Sequence, residues 1–430
     1  MTHRSVEVPV IARVEGEGAL HVKVDDGAIT DLRLEIYEPP RFFEAFLVGR
    51  HFSEVPDITA RICGICPVAY QMSAIHGLER LFEVQVPPGT EELRRLLYCG
   101  EWIESHVLHI FLLAAPDFMG FDSAIDMAKV HPEVVETALR LKRIGNDLME
   151  SIGGREIHPI SPRVGGFSKA PRRRDLESFV PRLEEAVAGM PAIADLVASL
   201  PHPAFPRAAE MVSMVHPTEY PMNLGDLAST MGRRFDAATF EEISREVHVE
   251  HSNALHSVMV DTGTPYFVGP LARVNLNERH LTPVARECAE RLGLRVPEFD
   301  PFLSMAARVV EVAVAFEEAL RLIRAYEPPE PPMAEVTPRA GRATWVTEAP
   351  RGFLYHRYDV NEDGTIAAAK IVPPTSQNLR HMEEDLRGFL PGVLDRPDEE
   401  LTRLAEMVVR NYDPCISCAT HFLRLEIERT

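Results

Sequence analysis

The chain is short of basic residues, cysteine and uninterrupted apolar runs, and each shortage closes off a class of function. Lys and Arg number 45 against 65 Asp and Glu, a formal charge of −20, so no basic excess is available to make nucleic acid the main partner. Six cysteines in 430 residues are too few for a disulfide scaffold. The longest apolar stretch, His106–Phe121, carries two histidines and Asp117, and Phe302–Ile323 is interrupted by Arg308, Glu311, Glu317 and Glu318. A membrane span needs about 18 or more apolar residues with almost no charge. Met1–Glu7 lacks the apolar core of a signal peptide, so a cytoplasmic protein without a membrane span is expected. No Gly-x-Gly-x-x-Gly or Walker-type loop is present, and the chain is not expected to bind a nicotinamide itself.

What remains is an ordinary globular composition, 45% hydrophobic and 26% charged. Val6, Val8 and Val10, then Leu20, Val22 and Val24, alternate with polar residues, and Asp25-Asp26-Gly27 marks a tight turn before Ile29–Tyr37 resumes the alternation. Residues 1–38 therefore read as an antiparallel meander. After Pro39-Pro40 the apolar period becomes helical near Thr90–Leu113, Pro132–Ile152, Arg174–Ser199, Thr239–Val258, Thr282–Leu292 and Pro301–Ala325. Pro-rich breaks at 201–206 and 327–332 punctuate these helices. A β-containing segment, 328–375, carries Leu354–Tyr358 and Ile366–Val372, and a last helical part covers 376–421. The expected fold is mainly α (α+β), a helical bundle over 39–327 with small peripheral antiparallel sheets, built as one unit.

Four cysteines form two Cys-x-x-Cys pairs, Cys63/Cys66 and Cys415/Cys418, and Cys415 follows Cys66 by 349 positions. Four thiolates suit zinc, nickel or iron. A structural zinc site is one use of such a set. Zinc knuckles, however, keep their halves about 12–20 residues apart, whereas these pairs meet only if the whole chain folds. The remaining cysteines, Cys99 and Cys288, read as core residues. His248, His251 and His256 fall close together within a segment read as helix, where a polar face explains them better than a metal.

The flanking residues sharpen the reading. Arg61-Ile62-Cys63-Gly64-Ile65-Cys66 and Asp413-Pro414-Cys415-Ile416-Ser417-Cys418-Ala419-Thr420-His421 resemble the paired signatures of the nickel–iron hydrogenase large subunit. Arg13-Val14-Glu15-Gly16, Arg41-Phe42-Phe43-Glu44, Gly154–Pro159 with Gly165-Gly166, Ala349-Pro350-Arg351-Gly352 and Val372-Pro373-Pro374-Thr375 lie in order at that family's other elements.

The resemblance implies a nickel ion on all four cysteines, Cys63 and Cys415 terminal and Cys66 and Cys418 bridging to an iron that carries CO and two cyanides. It implies that Cys415 accepts the proton released from H2 and Glu15 passes it on, a role a carboxylate fills within hydrogen-bond reach. Arg351 would hang over the open metal position with Asp413 as partner, Pro350 would shape the pocket, and Thr375 would donate to a cyanide. Glu44 and His421, with a carbonyl near Lys370, would hold a magnesium or iron ion. Electrons would leave through an iron–sulfur small subunit toward diaphorase-type subunits carrying FAD and NAD(P). A maturation protease would cut after His421 and remove 422–430.

Two positions depart from many respiratory members, Ser105 where they have Asp and Tyr70 where they have His. Together with Ile416-Ser417 and the Pro39–Phe46 run, these resemble the cytoplasmic, bidirectional branch. Two further readings stay open at this point: a non-catalytic relative akin to the quinone-site subunit of respiratory complex I, and a zinc-stabilised structural protein.

Overall fold

In the computed structural model, residues 3–420 are described. The chain opens with an antiparallel meander of β1 (His3–Val8), β2 (Gly18–Asp25) and β3 (Ala28–Ile36), with Val6 opposite Val22 and Leu20 opposite Leu34. Asp26 and Gly27 take φ of 49° and 80°, the left-handed pair that a two-residue hairpin of the favoured twist demands. Val10, expected to continue the first strand, lies beyond it and is exposed, because pairing with β2 ends at Val8 opposite Leu20.

The bundle consists of α1 (Pro67–Phe82), α2 (Thr90–Val107), α3 (Pro132–Gly153), α4 (Val180–Ala198), α5 (Pro283–Arg291) and α6 (Ser304–Ala325). α2 packs on α3 and α6, and α6 packs on α4 and α5. The α2–α3 approach depends on glycine at both partners: a β-carbon on Gly145 would stand 2.5 Å from the Gly100 carbonyl oxygen. The helix expected to reach Leu113 passes at Leu108 into a π-helical turn that ends at Ala114.

The segment Thr239–Val258 is not a helix. A single turn at Phe240–Ile243 precedes two short antiparallel strands, β4 (Ser244–Val247) and β5 (His256–Met259). Four-residue strands are too short for a period of 2 to be told from one of 3.6. His248, His251 and His256 are therefore not on one helix.

A second three-stranded sheet, β6 (Gly341–Ala349), β7 (Gly352–Val360) and β8 (Ile366–Val372), covers α1. α7 (Pro374–Phe389) follows directly, and α8 (Asp398–Asn411) leads into the last described loop. One apolar core runs through the meander, the bundle and these last helices, and it includes all four paired cysteines. Among the described residues no single helix is long and apolar enough to cross a membrane.

Candidate metal centre

Cys66 stands immediately before α1, whose first residue is Pro67, a position where the missing N–H is harmless. Cys63 lies three residues earlier in the preceding loop. Cys415 follows α8 across a loop in which Asp413 adopts a left-handed φ of 52°, and Cys418 sits in a single turn, Ile416–Ala419. The four thiols meet. Their sulfur atoms all lie within 4.8 Å of one another, with Cys63 Sγ 3.5 Å from Cys415 Sγ. The residues are 4%, 3%, 1% and 1% exposed, and none is in a disulfide.

Such a pocket is built for a soft cation. Hydrogen bonds from Cys415 above all, then Cys418 and Cys66, hold the Cys63 thiol well below its usual range, and Ile65 and Cys66 donate backbone N–H groups to its sulfur at 3.3 Å. Burial pushes Cys415 and Cys418 up. Buried soft sulfur at this spacing fits nickel and iron. Two unpartnered polar atoms add to the fit. Arg351 Nη1 and the Tyr70 hydroxyl are buried without a hydrogen-bond partner among the described residues, and both groups lie within the electrostatic reach of the cysteines. Orphaned buried donors of this kind require an acceptor that the protein does not supply.

Arg351 ends the β6–β7 hairpin beside Pro350. Its Nε donates to the Asp413 carbonyl oxygen at 2.6 Å and its Nη2 to Asp413 Oδ1 at 3.0 Å, so the arginine of one cysteine-free turn is clamped to the residue before Pro414. The Thr375 hydroxyl oxygen, in the first turn of α7, accepts the Cys415 N–H at 2.9 Å.

Glu15 reaches the same sulfur from the other end of the chain. Its carbonyl accepts the Ile416 N–H at 2.9 Å, and its Oε2 accepts the Ser417 N–H at 3.1 Å and lies 3.0 Å from Cys415 Sγ. Gly16 makes the approach possible: at φ 88° a β-carbon there would stand 2.7 Å from Ile416 Cβ. Glu15 is half-buried.

Glu44 lies on a short helix, Phe43–Leu47, and its Oε1 accepts the Ile371 N–H at 2.7 Å, beside Lys370. His421 and the 422–430 segment lie outside the described residues. Thr420, the neighbour of His421, is held by the Arg41 N–H at 2.6 Å on its carbonyl.

Several supporting residues have roles that appear only in the fold. Arg41 Nη2 donates to the carbonyls of Ile62, at 2.7 Å, and Ser417, and so ties the two cysteine loops together. Glu101, fully buried on α2, accepts the N–H groups of Val68 at 2.6 Å and Ala69 at 3.2 Å and caps α1 one turn from Cys66. Arg273 donates to the carbonyls of Ala349 and Pro350 while paired with Glu311 and Glu348, all fully buried. Only the Arg-x-Glu-Gly and Arg-Phe-Phe-Glu motifs hint at this scaffold from the sequence. Ser105 is buried next to His106, whose Nε2 is 2.9 Å from Glu311 Oε2. Cys99 and Cys288 are buried core residues whose thiols burial pushes up, Cys288 to about 12.

Comparison with known proteins places this geometry. A family model described as nickel-dependent hydrogenase matches residues 41–152 and 260–421. The chain is 34% identical over 424 residues to sulfhydrogenase 1 subunit alpha of Pyrococcus furiosus, covering 98% of each chain. It is 26% identical to the NAD-reducing hydrogenase HoxS subunit beta of Cupriavidus necator, covering 98% of this chain and 95% of the other. A crystal structure of an NAD+-reducing [NiFe]-hydrogenase in the H2-reduced state superposes with a TM-score of 0.87 at 28% identity, over 97% of this chain and 99% of that one.

Proposed function

The chain belongs to the nickel-dependent hydrogenase family, as a catalytic large subunit, and from that premise we propose that Cys63, Cys66, Cys415 and Cys418 hold a nickel–iron pair at which H2 is reversibly cleaved. Membership implies nickel and iron. The non-catalytic and zinc-staple readings are not favoured: the chain keeps four converging thiols and matches hydrogenases over nearly its whole length.

In this reading Cys63 and Cys415 would hold nickel and Cys66 and Cys418 would be shared with an iron carrying CO and cyanides. When bound, the metal pair supplies the heterolysis of H2, which yields two protons and two electrons in all. The observation that carries the proposal is the 3.0 Å contact between Cys415 Sγ and Glu15 Oε2. Cys415 takes the first proton, and Glu15, positioned by the Ser417 N–H, receives it and delivers it outward. Arg351, clamped by Asp413, keeps Nη1 without a protein partner and would offer it to a cyanide nitrogen. Pro350 walls the pocket, and the Thr375 hydroxyl, already accepting from Cys415 N–H, has its own proton free for the second cyanide. Tyr70 offers the remaining orphaned donor.

Glu44, the Lys370 carbonyl and His421 would hold magnesium or iron near the chain's end. Relatives named as subunits imply further subunits here. We assign these to an iron–sulfur small subunit and flavin-bearing, NAD(P)-reactive subunits, because the two cysteines outside the site are too few for a cluster and belong to none of the metal-ligand groups among the described residues. A cytoplasmic setting is supported by Cys99 and Cys288, the two cysteines outside the metal set, neither of which is in a disulfide. Removal of residues 422–430 after nickel insertion is checked by the intact mass of active protein.

The deciding experiment is infrared spectroscopy with metal analysis on the anaerobically purified complex. Bands of one CO and two cyanides with one nickel per chain are expected. Zinc alone, or no such bands in matured protein, would overturn the assignment.

A further inference from the structure

Outside the cysteine pocket, three side chains from three elements converge on a point that no part of the hydrogen reaction uses. His251 comes from the turn between β4 and β5, His256 is the first residue of β5, and Glu383 lies in the middle of α7. One donor atom from each lies within 4.8 Å of the other two. His251 Nε2 is 2.7 Å from Glu383 Oε1, and the two imidazole rings stand edge to face at 5.8 Å.

His256 is fully buried, yet neither of its ring nitrogens has a hydrogen-bond partner among the described residues. Each buried polar atom left unsatisfied costs about 1–3 kcal/mol, so a doubly orphaned imidazole in a buried strand calls for a partner outside the chain. Its neighbours are a second imidazole and a carboxylate, the donor set of zinc and related late first-row cations. Glu383 is itself oriented: its Oε1 accepts the Leu34 N–H at 3.1 Å, and Arg380 approaches its Oε2 loosely at 3.7 Å from a half-exposed position. Outer partners of this kind fix a ligating carboxylate. An entry path exists, since His251 is partly exposed and lines a surface cleft of about 530 Å³ with Arg33, Glu35, Tyr37, Glu250 and Asn253.

We propose that His251, His256 and Glu383 form a second, independent metal site for zinc or a similar late divalent cation, with water from the cleft completing the coordination. Binding replaces the His251–Glu383 hydrogen bond by two metal bonds of about 2.0–2.1 Å. The ion then fastens the β4–β5 turn to α7, the helix whose first turn carries Thr375 on the cysteine pocket, and through Leu34 to β3. The site does not depend on the reading of the cysteines.

The test uses the matured, nickel-loaded complex dialysed against micromolar zinc chloride and desalted. One zinc per chain is expected, with an X-ray absorption shell of nitrogen and oxygen at about 2.0 Å and no sulfur shell near 2.3 Å. His251→Ala, at a partly exposed position that does not endanger folding, and Glu383→Gln are each expected to lower retained zinc at least tenfold. Both should leave nickel content unchanged and speed amide exchange in residues 248–256. No retained zinc, zinc indifferent to His251→Ala, or zinc in a sulfur shell would each overturn the proposal. The last two outcomes would locate the ion at another carboxylate–imidazole pair or at the four cysteines.

Discussion

Replacing Glu15 by Gln isolates proton transfer from everything else the residue does. The main-chain bonds that hold Glu15 beside the cysteine loop, from Glu15 N–H to the Pro414 carbonyl at 3.3 Å and from Ile416 N–H to the Glu15 carbonyl at 2.9 Å, do not involve the side chain. The amide oxygen of Gln can still accept the Ser417 N–H at about the 3.1 Å seen for the carboxylate. What Gln cannot do is accept a proton from Cys415 Sγ, 3.0 Å away. A positioned acid or base contributes about 10²–10⁴-fold, which at about 1.4 kcal/mol per tenfold is about 3–5 kcal/mol of barrier. Turnover in H2 oxidation with an artificial acceptor should therefore fall 10²- to 10⁴-fold. Nickel and iron content and the infrared bands should stay as in the parent, because no proposed ligand changes. Glu15→Asp withdraws the carboxylate by one methylene, and should lose less, about tenfold to a hundredfold. Wild-type turnover in a metal-replete Glu15→Gln enzyme would refute the relay. Loss of nickel would show instead that Glu15 is a structural strut.

Arg351→Lys keeps the charge but cannot reach both the Asp413 carbonyl and Oδ1 while pointing a third donor at the pocket, and it should cost about 10²-fold in activity at full nickel occupancy. Gly16→Ala forces a β-carbon to 2.7 Å from Ile416 Cβ at a φ of 88°, and nickel content per chain should drop, since the Cys415–Cys418 turn must retreat. The His106 contribution to stability, read as the urea midpoint of the parent less that of His106→Gln, should fall as pH drops from about 6.5 to about 4. Glu348, pushed up to about 7 by burial, gains a proton in the folded chain over the same range and works against that fall in the whole-protein profile. Burial lowers His106 to about 4 and His76 to about 3, so the unfolded chain takes up protons that the native imidazoles refuse; His106 alone is worth about 3 kcal/mol across that window. A second decline should follow between about 4.5 and 2, where unfolded carboxylates protonate while Glu311 and Glu318, lowered to about 2 chiefly by Arg273 and by Arg321 and Arg95 respectively, remain ionised. A parent-minus-His106→Gln difference that stays flat from pH 7 to pH 4 would refute the assignment of a neutral buried His106.

The two cysteine pairs and their neighbours could be read from the chain because metal ligands and tight turns are chemical necessities at fixed spacing. The Asp26-Gly27 hairpin was legible for the same reason. The β4–β5 pair was not, since Phe240, Ile243 and Val247 satisfy a helical period by accident over a stretch too short to decide. The buried ions were hidden for a different reason. Glu311 in the sequence is a charge that spoils a membrane span; in the fold it is fully buried, with Arg273 on one side and His106 on the other. Likewise Glu101 looks like a surface charge until the helix start it holds is in place. Charge in a sequence says that a group needs a partner, and the partner is chosen by the tertiary fold.

The parallel pairing of Glu15 with Cys415 has a consequence in time. Cys63 precedes Cys415 by 352 positions, and at the pace of synthesis, about 5–20 residues per second, roughly 20–70 s pass between them. Throughout that interval the first thiols exist without the second pair, without the Arg41 bond to Ser417 and without the wall that Arg351 and Asp413 build around them. They are nucleophiles waiting in an unfinished chamber. The cell must keep them reduced and free of stray copper or zinc for as long as the ribosome takes to reach the other end, so a chain stalled anywhere short of Cys415 carries half a metal site and nothing to close it.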